Sequence, residues 1–167
     1  MNYSEILISI VENGSKQIRA IEPKKMAVKP STEKWSKQEI LGHLVDSAIN
    51  NYQRILLTQL KEDLIFEGYD QVNWVKINDY QSKDVMDILR TWEALNRHIT
   101  GLIAVTPISV IVRKTSHHAF DKISMKRLQS GTPSNLSYLI WDYLFHVEHH
   151  LAQIIDGYKK LNGGFKG

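Results

Sequence analysis

The segment Phe145-His146-Val147-Glu148-His149-His150-Leu151 carries two histidines four residues apart. On a helix that spacing places His146 and His150 one turn apart on one face. Two neutral imidazoles so arranged can hold one divalent cation, but two ligands do not make a site. His43, far upstream in Glu39-Ile-Leu-Gly-His43, is a third candidate. Three neutral imidazoles with a vacant position form the ligand set of a catalytic rather than a structural divalent metal. A histidine on the flank of an apolar face also reads simply as a satisfied polar residue, since HxxxH spacing is common by chance.

Helices must bring these residues together. Residues 4 to about 20 set Ile6, Leu7, Ile10, Val11 and Ile18 at helical spacing, with Ser4 as the N-cap. A linker with Pro23 and Pro30 follows. Ser36 and Glu39 form an S-x-x-E capping box, and Trp35 with Ile40 supplies the hydrophobic staple, so a second helix is expected from there to about Leu60. Residues 61–81, with Tyr69, Trp74 and Tyr80, read as a long loop, and a loop of that length in a compact domain is usually functional. A third helix from near Ser82 carries a stripe running from Val85 to Leu102. Within 105–131, Ser109 to Arg113 fits a short strand or extended loop and Met125 to Leu128 a helical turn; whether this segment lids a site is left open. Thr132, with Pro133 at the first position, caps a last helix whose stripe runs from Leu136 to Ile154 and which stops before Gly163-Gly164. The fold class is all-α, a four-helix bundle with long connections, read as one domain over 1–167. Two of its connections are long enough to cross the bundle or fold over one end. Such bundles build metal sites from side chains on facing helices.

The flanks of the apolar faces narrow the candidates. The apolar arc of the last helix is centred roughly 80° from His146 and roughly 40° from His150, while His149 turns further toward solvent. Around the second helix His43, Ser47, Asn50, Asn51 and Arg54 share one side, which is either a solvated surface or the wall of a cleft; taken alone, solvent is the simpler reading. Asp46 either supports an imidazole or is a surface carboxylate, again the simpler reading. Trp35 reads as staple rather than ligand contact. Tyr69, Asp70 and Trp74 line a pocket or merely anchor their loop, and His117-His118 approach the site or sit at the surface.

Composition excludes several chemistries. The chain's 167 residues, 43% of them hydrophobic, suffice for a real core and argue against disorder. It contains no cysteine, hence no disulfide, no thiolate ligand and no cysteine nucleophile; any reacting thiol must come from outside. No apolar run reaches the ~18–20 residues that span a bilayer, and the N-terminus lacks a signal-peptide pattern, so no membrane partner and a cytoplasmic location are expected. The net charge of +3 comes from 21 basic and 18 acidic residues interspersed along the chain, which argues against nucleic acid as the main partner. No nucleotide-binding glycine motif, G-x-S-x-G or HExxH occurs.

Short motifs carry a resemblance. Pro30, Lys34-Trp-Ser36 and Gly42-His43-Leu-Val-Asp46-Ser47 resemble the second-helix signature of the DinB superfamily, closest to its YfiT-like branch, described as metal-dependent hydrolases and bacillithiol transferases. Gly68-Tyr69-Asp70 with Trp74 resembles that branch's loop, and Phe145-His146 through His149-His150 its last-helix signature. Phe145, Gln153 and Ala48 depart from the pattern, standing where the branch usually has Trp and often has His at the other two positions. The resemblance implies a four-helix bundle, often a homodimer, with a metal triad on His43, His146 and His150, the same three reached by spacing.

The expected function is that of a metal-dependent enzyme acting on a small-molecule substrate. The ion is Zn²⁺ first, with Ni²⁺ or Fe²⁺ as alternatives. It binds water, giving hydrolysis, or the thiolate of a low-molecular-weight thiol cofactor, giving S-transfer to an electrophile. Asn51, Arg54 and Trp74 are candidates for holding the cofactor, and Asn50, Arg54 and Asp46 for supporting the chemistry. The alternatives are a non-catalytic bundle that binds metal or a small ligand as a sensor or partner module, and a structural dimer with an empty site.

Overall fold

A computed structural model describes residues 2–161. Among them the chain forms eight α-helices and one 3-10 turn, and no strand; two isolated bridges join Leu64 to His118 and Thr115 to Ser134. Helix α1 is Tyr3–Arg19, and its cap is Asn2 rather than Ser4, the Asn2 side chain accepting from the Glu5 amide. The turn α2, Pro23–Met26, begins at a proline, whose missing N–H costs nothing there. Helix α3, Lys37–Leu57, starts on the expected capping box: Ser36 Oγ accepts from the Glu39 amide at 3.1 Å, and Glu39 Oε2 accepts from the Ser36 amide at 2.8 Å. It ends before Leu60, at Thr58, whose hydroxyl donates to the Arg54 carbonyl.

The expected loop 61–81 contains a helix, α4, Gln71–Asn78, capped by Asp70, and a 3-10 turn, Tyr80–Ser82. Only Val75 of α4 is buried, so no apolar stripe announces it. Helix α5, Val85–Val105, begins three residues beyond Ser82, where Asp84 accepts from the Met86 and Asp87 amides. Ser109 to Arg113 form neither strand nor extended loop, since α6 is a helical turn at Ile108–Ile111. The next turn, α7, is Phe120–Ile123, whereas Met125 to Leu128 are not helical. Helix α8, Leu136–Ile154, is capped by Asn135, not Thr132, and Pro133 precedes the helix. The expected stop before Gly163-Gly164 lies outside the described residues.

The long helices α1, α3, α5 and α8 bury one apolar core, with Leu7, Ile10, Leu41, Leu44, Trp92, Ile99, Leu144 and Leu151 at its centre. Helix α1 packs against α5 and α8, and α3 packs against the same two. Helices α1 and α3, consecutive among the four, therefore stand across a diagonal, and so do α5 and α8. The connections 20–36 and 106–135 make those crossings. Helix α3 meets α8 directly, which is the contact the histidines require.

One close approach fixes the rear of α3. A Cβ added at Gly42 would lie 2.1 Å from Cγ of Tyr80, so only glycine lets the ring lie flat on the helix. Tyr80 then donates its hydroxyl to Asp46 Oδ1 at 2.7 Å. Gln38, buried, clamps the same turn by donating to the carbonyls of Tyr80 and Lys83, each at 2.6 Å. No described helix is long and apolar enough to cross a membrane.

Candidate metal centre

His43 comes from the second turn of α3, and His146 and His150 from successive turns of α8. One ring nitrogen of each lies within 4.8 Å of the other two. His43 Nε2 and His146 Nε2 are 3.1 Å apart. Two nitrogens each about 2.05 Å from a tetrahedral ion stand roughly 3.3 Å apart, so this pair lies within tenths of an ångström of a ligand pair. Burial holds all three imidazoles neutral. It pushes His43 down to about 3 and His150 down to about 4, and it drives His146 well below its ordinary value, with the neighbouring histidines adding to the effect. Neutral imidazole is the metal-binding form.

The opposite ring nitrogens set which atom is presented. Gln153 Oε1 stands 2.7 Å from His150 Nδ1. An amide oxygen only accepts, so Nδ1 carries the proton and Nε2 the free lone pair. His146 Nδ1 lies 3.3 Å from Ser47 Oγ, which Asn51 also contacts from Nδ2 at 3.3 Å. His43 Nδ1 is buried with no hydrogen-bond partner, and so is Asp46 Oδ2 on the same helix.

His146 and His150 open onto a cavity of about 400 Å³. Trp35, Tyr69, Tyr143 and Leu139 supply its apolar and aromatic wall; Ser47, Asn51, Arg54 and Asp142 supply polar groups. Residues Lys122 to Met125 close one side, so part of the 105–131 segment walls the cavity. Asp142 anchors that wall by accepting from the Met125 amide at 2.9 Å and the Lys126 amide at 2.7 Å. Burial raises the Asp142 carboxyl, and these two amides oppose that rise.

The polar side of α3 is a cleft wall, since His43, Ser47, Asn51 and Arg54 are all buried; the solvent reading fails because α8 and the 61–81 segment cover it. Asp46 is not a surface carboxylate. It is 1% exposed, held by Tyr80 and by Asn78 Nδ2 behind His43, and does not line the cavity. Asn50 turns away as well, its amide donating to the Asp46 carbonyl. Trp74 stands behind Tyr69, ring centroids 4.9 Å apart, one layer from the cavity. Asp70 is exposed and serves as the α4 cap. Trp35 does more than staple: its ring lies 5.2 Å from that of His43 and faces the cavity. His117 is exposed, and His118 is tied to the Thr132 carbonyl at 2.7 Å, so neither joins the site. Sequence reasoning missed Gln153 as a support, although it lies three residues from His150, and Asp142, an acid one turn before His146 in an apolar run. Ser124 carried no signal at all.

No family model matches the chain. It is 27% identical over 120 residues to a protein of Oceanobacillus iheyensis, covering 72% of this chain and 63% of that one. It is 24% identical over 122 residues to YfiT of Bacillus subtilis, covering 73% of this chain and 63% of YfiT. A Bacillus cereus protein is 25% identical over 149 residues, 89% of this chain and 79% of its own. Each relative bears a provisional name, metal-dependent hydrolase. The chain spans just under two thirds of the length of the first two. The solved structure of Bacillus subtilis YfiT superposes with a TM-score of 0.73 at 18% identity, over 91% of this chain and 81% of that one. It is described as a probable metal-dependent hydrolase with an unusual four-helix bundle topology. In sequence and in fold, the chain resembles the YfiT-like branch of the DinB superfamily.

Proposed function

We propose that the protein is a metal-dependent enzyme in which His43, His146 and His150 hold one divalent cation, zinc first and nickel or iron as alternatives. The observation that carries this reading is the convergence of three neutral imidazoles, His43 buried and His146 and His150 half-buried, from α3 and α8 beside a walled cavity. A bound cation there supplies Lewis acidity, lowering the pKa of a water or thiol beside it. The protein's own groups do the rest. Gln153 and Ser47 fix two imidazoles, Trp35 and Tyr69 exclude bulk water, and the 122–125 wall bounds the substrate.

The nucleophile is a small external thiol or water. In S-transfer the thiol gives up its proton to solvent, a carbon–sulfur bond forms on the electrophile as the carbon–leaving-group bond breaks, and the leaving group departs with that electron pair. In hydrolysis water does the same through oxygen. The absence of cysteine fits a borrowed thiol and hydrolysis equally well; the resemblance to a branch that includes bacillithiol transferases favours S-transfer, and the names of the relatives favour hydrolysis. The reading places the protein in the cytoplasm, where small thiols stay reduced, acting on a small molecule and not on nucleic acid or a membrane, as a homodimer.

The test is elemental mass spectrometry on untagged protein beside His43→Ala and His150→Ala, followed by turnover assays of the metal-loaded protein. About one equivalent of metal per chain is expected in the wild type and loss in both variants. Turnover of electrophiles only when a thiol is added assigns S-transfer, and turnover of amides or esters without thiol assigns hydrolysis. A wild type that takes up no metal on reconstitution sinks the proposal; metal without turnover reduces it to a binding module.

A further inference from the structure

The same cavity is lined by a second group of polar side chains whose capacity for hydrogen bonds and ion pairs the fold leaves largely unused. Arg54, near the end of α3, is 7% exposed and lines the cavity. Its guanidinium makes one hydrogen bond, from Nη2 to the Glu67 carbonyl at 3.0 Å. A guanidinium has five N–H donors, so most of its capacity is unused. Among the described residues, no carboxylate oxygen comes within 4.0 Å of it. Ser124, in the 122–125 wall of the cavity, is 6% exposed, and its buried Oγ has no partner. Lys122 stands at the exposed edge of the same wall with no ion pair among the described residues. Buried charges are normally paired and buried hydroxyls normally bonded. Arg54 and Ser124 depart from that rule around one cavity, and Lys122 adds an unpaired cation at its edge.

Asp142 is the one carboxylate among the described residues lining the cavity, and both its oxygens are taken by the Met125 and Lys126 amides. It tempers the field of Arg54 without neutralising it by contact. Two cations against one anion leave the cavity lining one net positive charge. Asn51 contributes little here, because its amide is spent on the Ser47 carbonyl and hydroxyl.

We propose that this end of the cavity is a carboxylate-binding subsite, in which Arg54 and Ser124 Oγ grip the carboxylate of the substrate or thiol and Lys122 covers its outer side. One net positive charge balances one carboxylate and leaves a dianionic phosphate uncompensated. The planar fork of arginine matches carboxylate geometry. Arg54 stands seven residues beyond Ser47 on α3, a rise of ~10 Å, and Ser47 touches His146. The fitting ligand is therefore a small molecule whose carboxylate lies several bonds from its reacting atom. The subsite rests on the proposed function only in assuming that this cavity receives the substrate.

The experiment is a protein-observed NMR titration of metal-free, full-length protein with hexanoate, hexanamide and inorganic phosphate. Hexanoate is expected to bind about tenfold more tightly than hexanamide, as charge-assisted hydrogen bonds require, and more tightly than phosphate. Arg54→Gln should abolish that preference, while Ser124→Ala and Lys122→Gln should each weaken hexanoate by about threefold. Arg54 also holds the Glu67 carbonyl, so should Arg54→Gln fail to fold, the other two variants decide. Equal binding of acid and amide, tighter binding of phosphate, or unchanged affinity in both Ser124→Ala and Lys122→Gln overturns the proposal. Because the titration needs no metal, the two readings fail separately. Hexanoate binding in a protein that never takes up metal leaves the subsite and removes the enzyme; metal uptake with no carboxylate preference does the reverse.

Discussion

Replacing Gly42 by alanine tests whether the rear of α3 is built as described. The new Cβ would fall 2.1–2.7 Å from three atoms of the Tyr80 ring, which is itself buried. The ring must move, and overpacking of this kind costs about 1–3 kcal/mol. Moving it lengthens or breaks the hydroxyl's 2.7 Å bond to Asp46, and a buried hydrogen bond to a charged acceptor is worth about 1.5–3 kcal/mol. Against these losses, alanine inside a helix gains about 1 kcal/mol over glycine. The net expectation is a loss of about 1.5–5 kcal/mol, or roughly 3–20 °C in Tm for a chain of this size. Urea unfolding followed by far-ultraviolet circular dichroism should show a lower midpoint at unchanged slope. The decisive arm is the double variant. With Tyr80→Ala the obstacle is gone, and adding Gly42→Ala should then stabilise by about 1 kcal/mol. A Gly42→Ala protein as stable as wild type, or one that loses equally in both backgrounds, would refute the close-approach argument.

Two further outcomes are expected. Gln153→Ala should weaken zinc affinity by about 10–100-fold in a chelator competition, while the metal-free protein keeps its stability to within about 0.5 kcal/mol because Gln153 is exposed; unchanged affinity would show that His150 needs no such support. Asp142→Asn, which offers one acceptor oxygen where two were used, should cost about 1–3 kcal/mol and should speed hydrogen exchange at the Met125 and Lys126 amides, whereas retained protection there would mean that the wall is held by other contacts.

The long helices were legible because apolar residues at helical spacing mark a buried face whatever the topology. The capping box at Ser36 was legible for a similar reason, since both its bonds lie within four residues. The caps at Asn2 and Asn135 were not, because Ser4 and Thr132 offer the same chemistry two or three residues away and only the docked chain selects between them. Helix α4 buries one residue, Val75, and so leaves no period to read. The three histidines could be picked out by spacing, but the convergence of their rings could not. Whether the polar side of α3 faces water or α8 depends on how the helices are arranged, and the burial of Asp46 depends on Tyr80 crossing Gly42. The cavity wall at 122–125 is set by side-chain bonds to backbone amides, which follow no periodic pattern.

The diagonal arrangement also dictates when the centre can exist. His43 and His146 are 103 positions apart along the chain, and the helix that carries His43 reaches its partner only after α5 and the second crossing have been made. During synthesis His43 emerges long before any companion ligand, and a nascent chain therefore has no three-imidazole cage with which to capture stray ions. The cage closes with the docking of α8, one of the most distant contacts the fold makes. An ion held by both ends would bridge a loop of about a hundred residues, for which chain-entropy arguments give a cross-link about 4.7 kcal/mol. Metal uptake would thus report completion of the fold, acting as a late-set clasp on a bundle already assembled by its apolar faces.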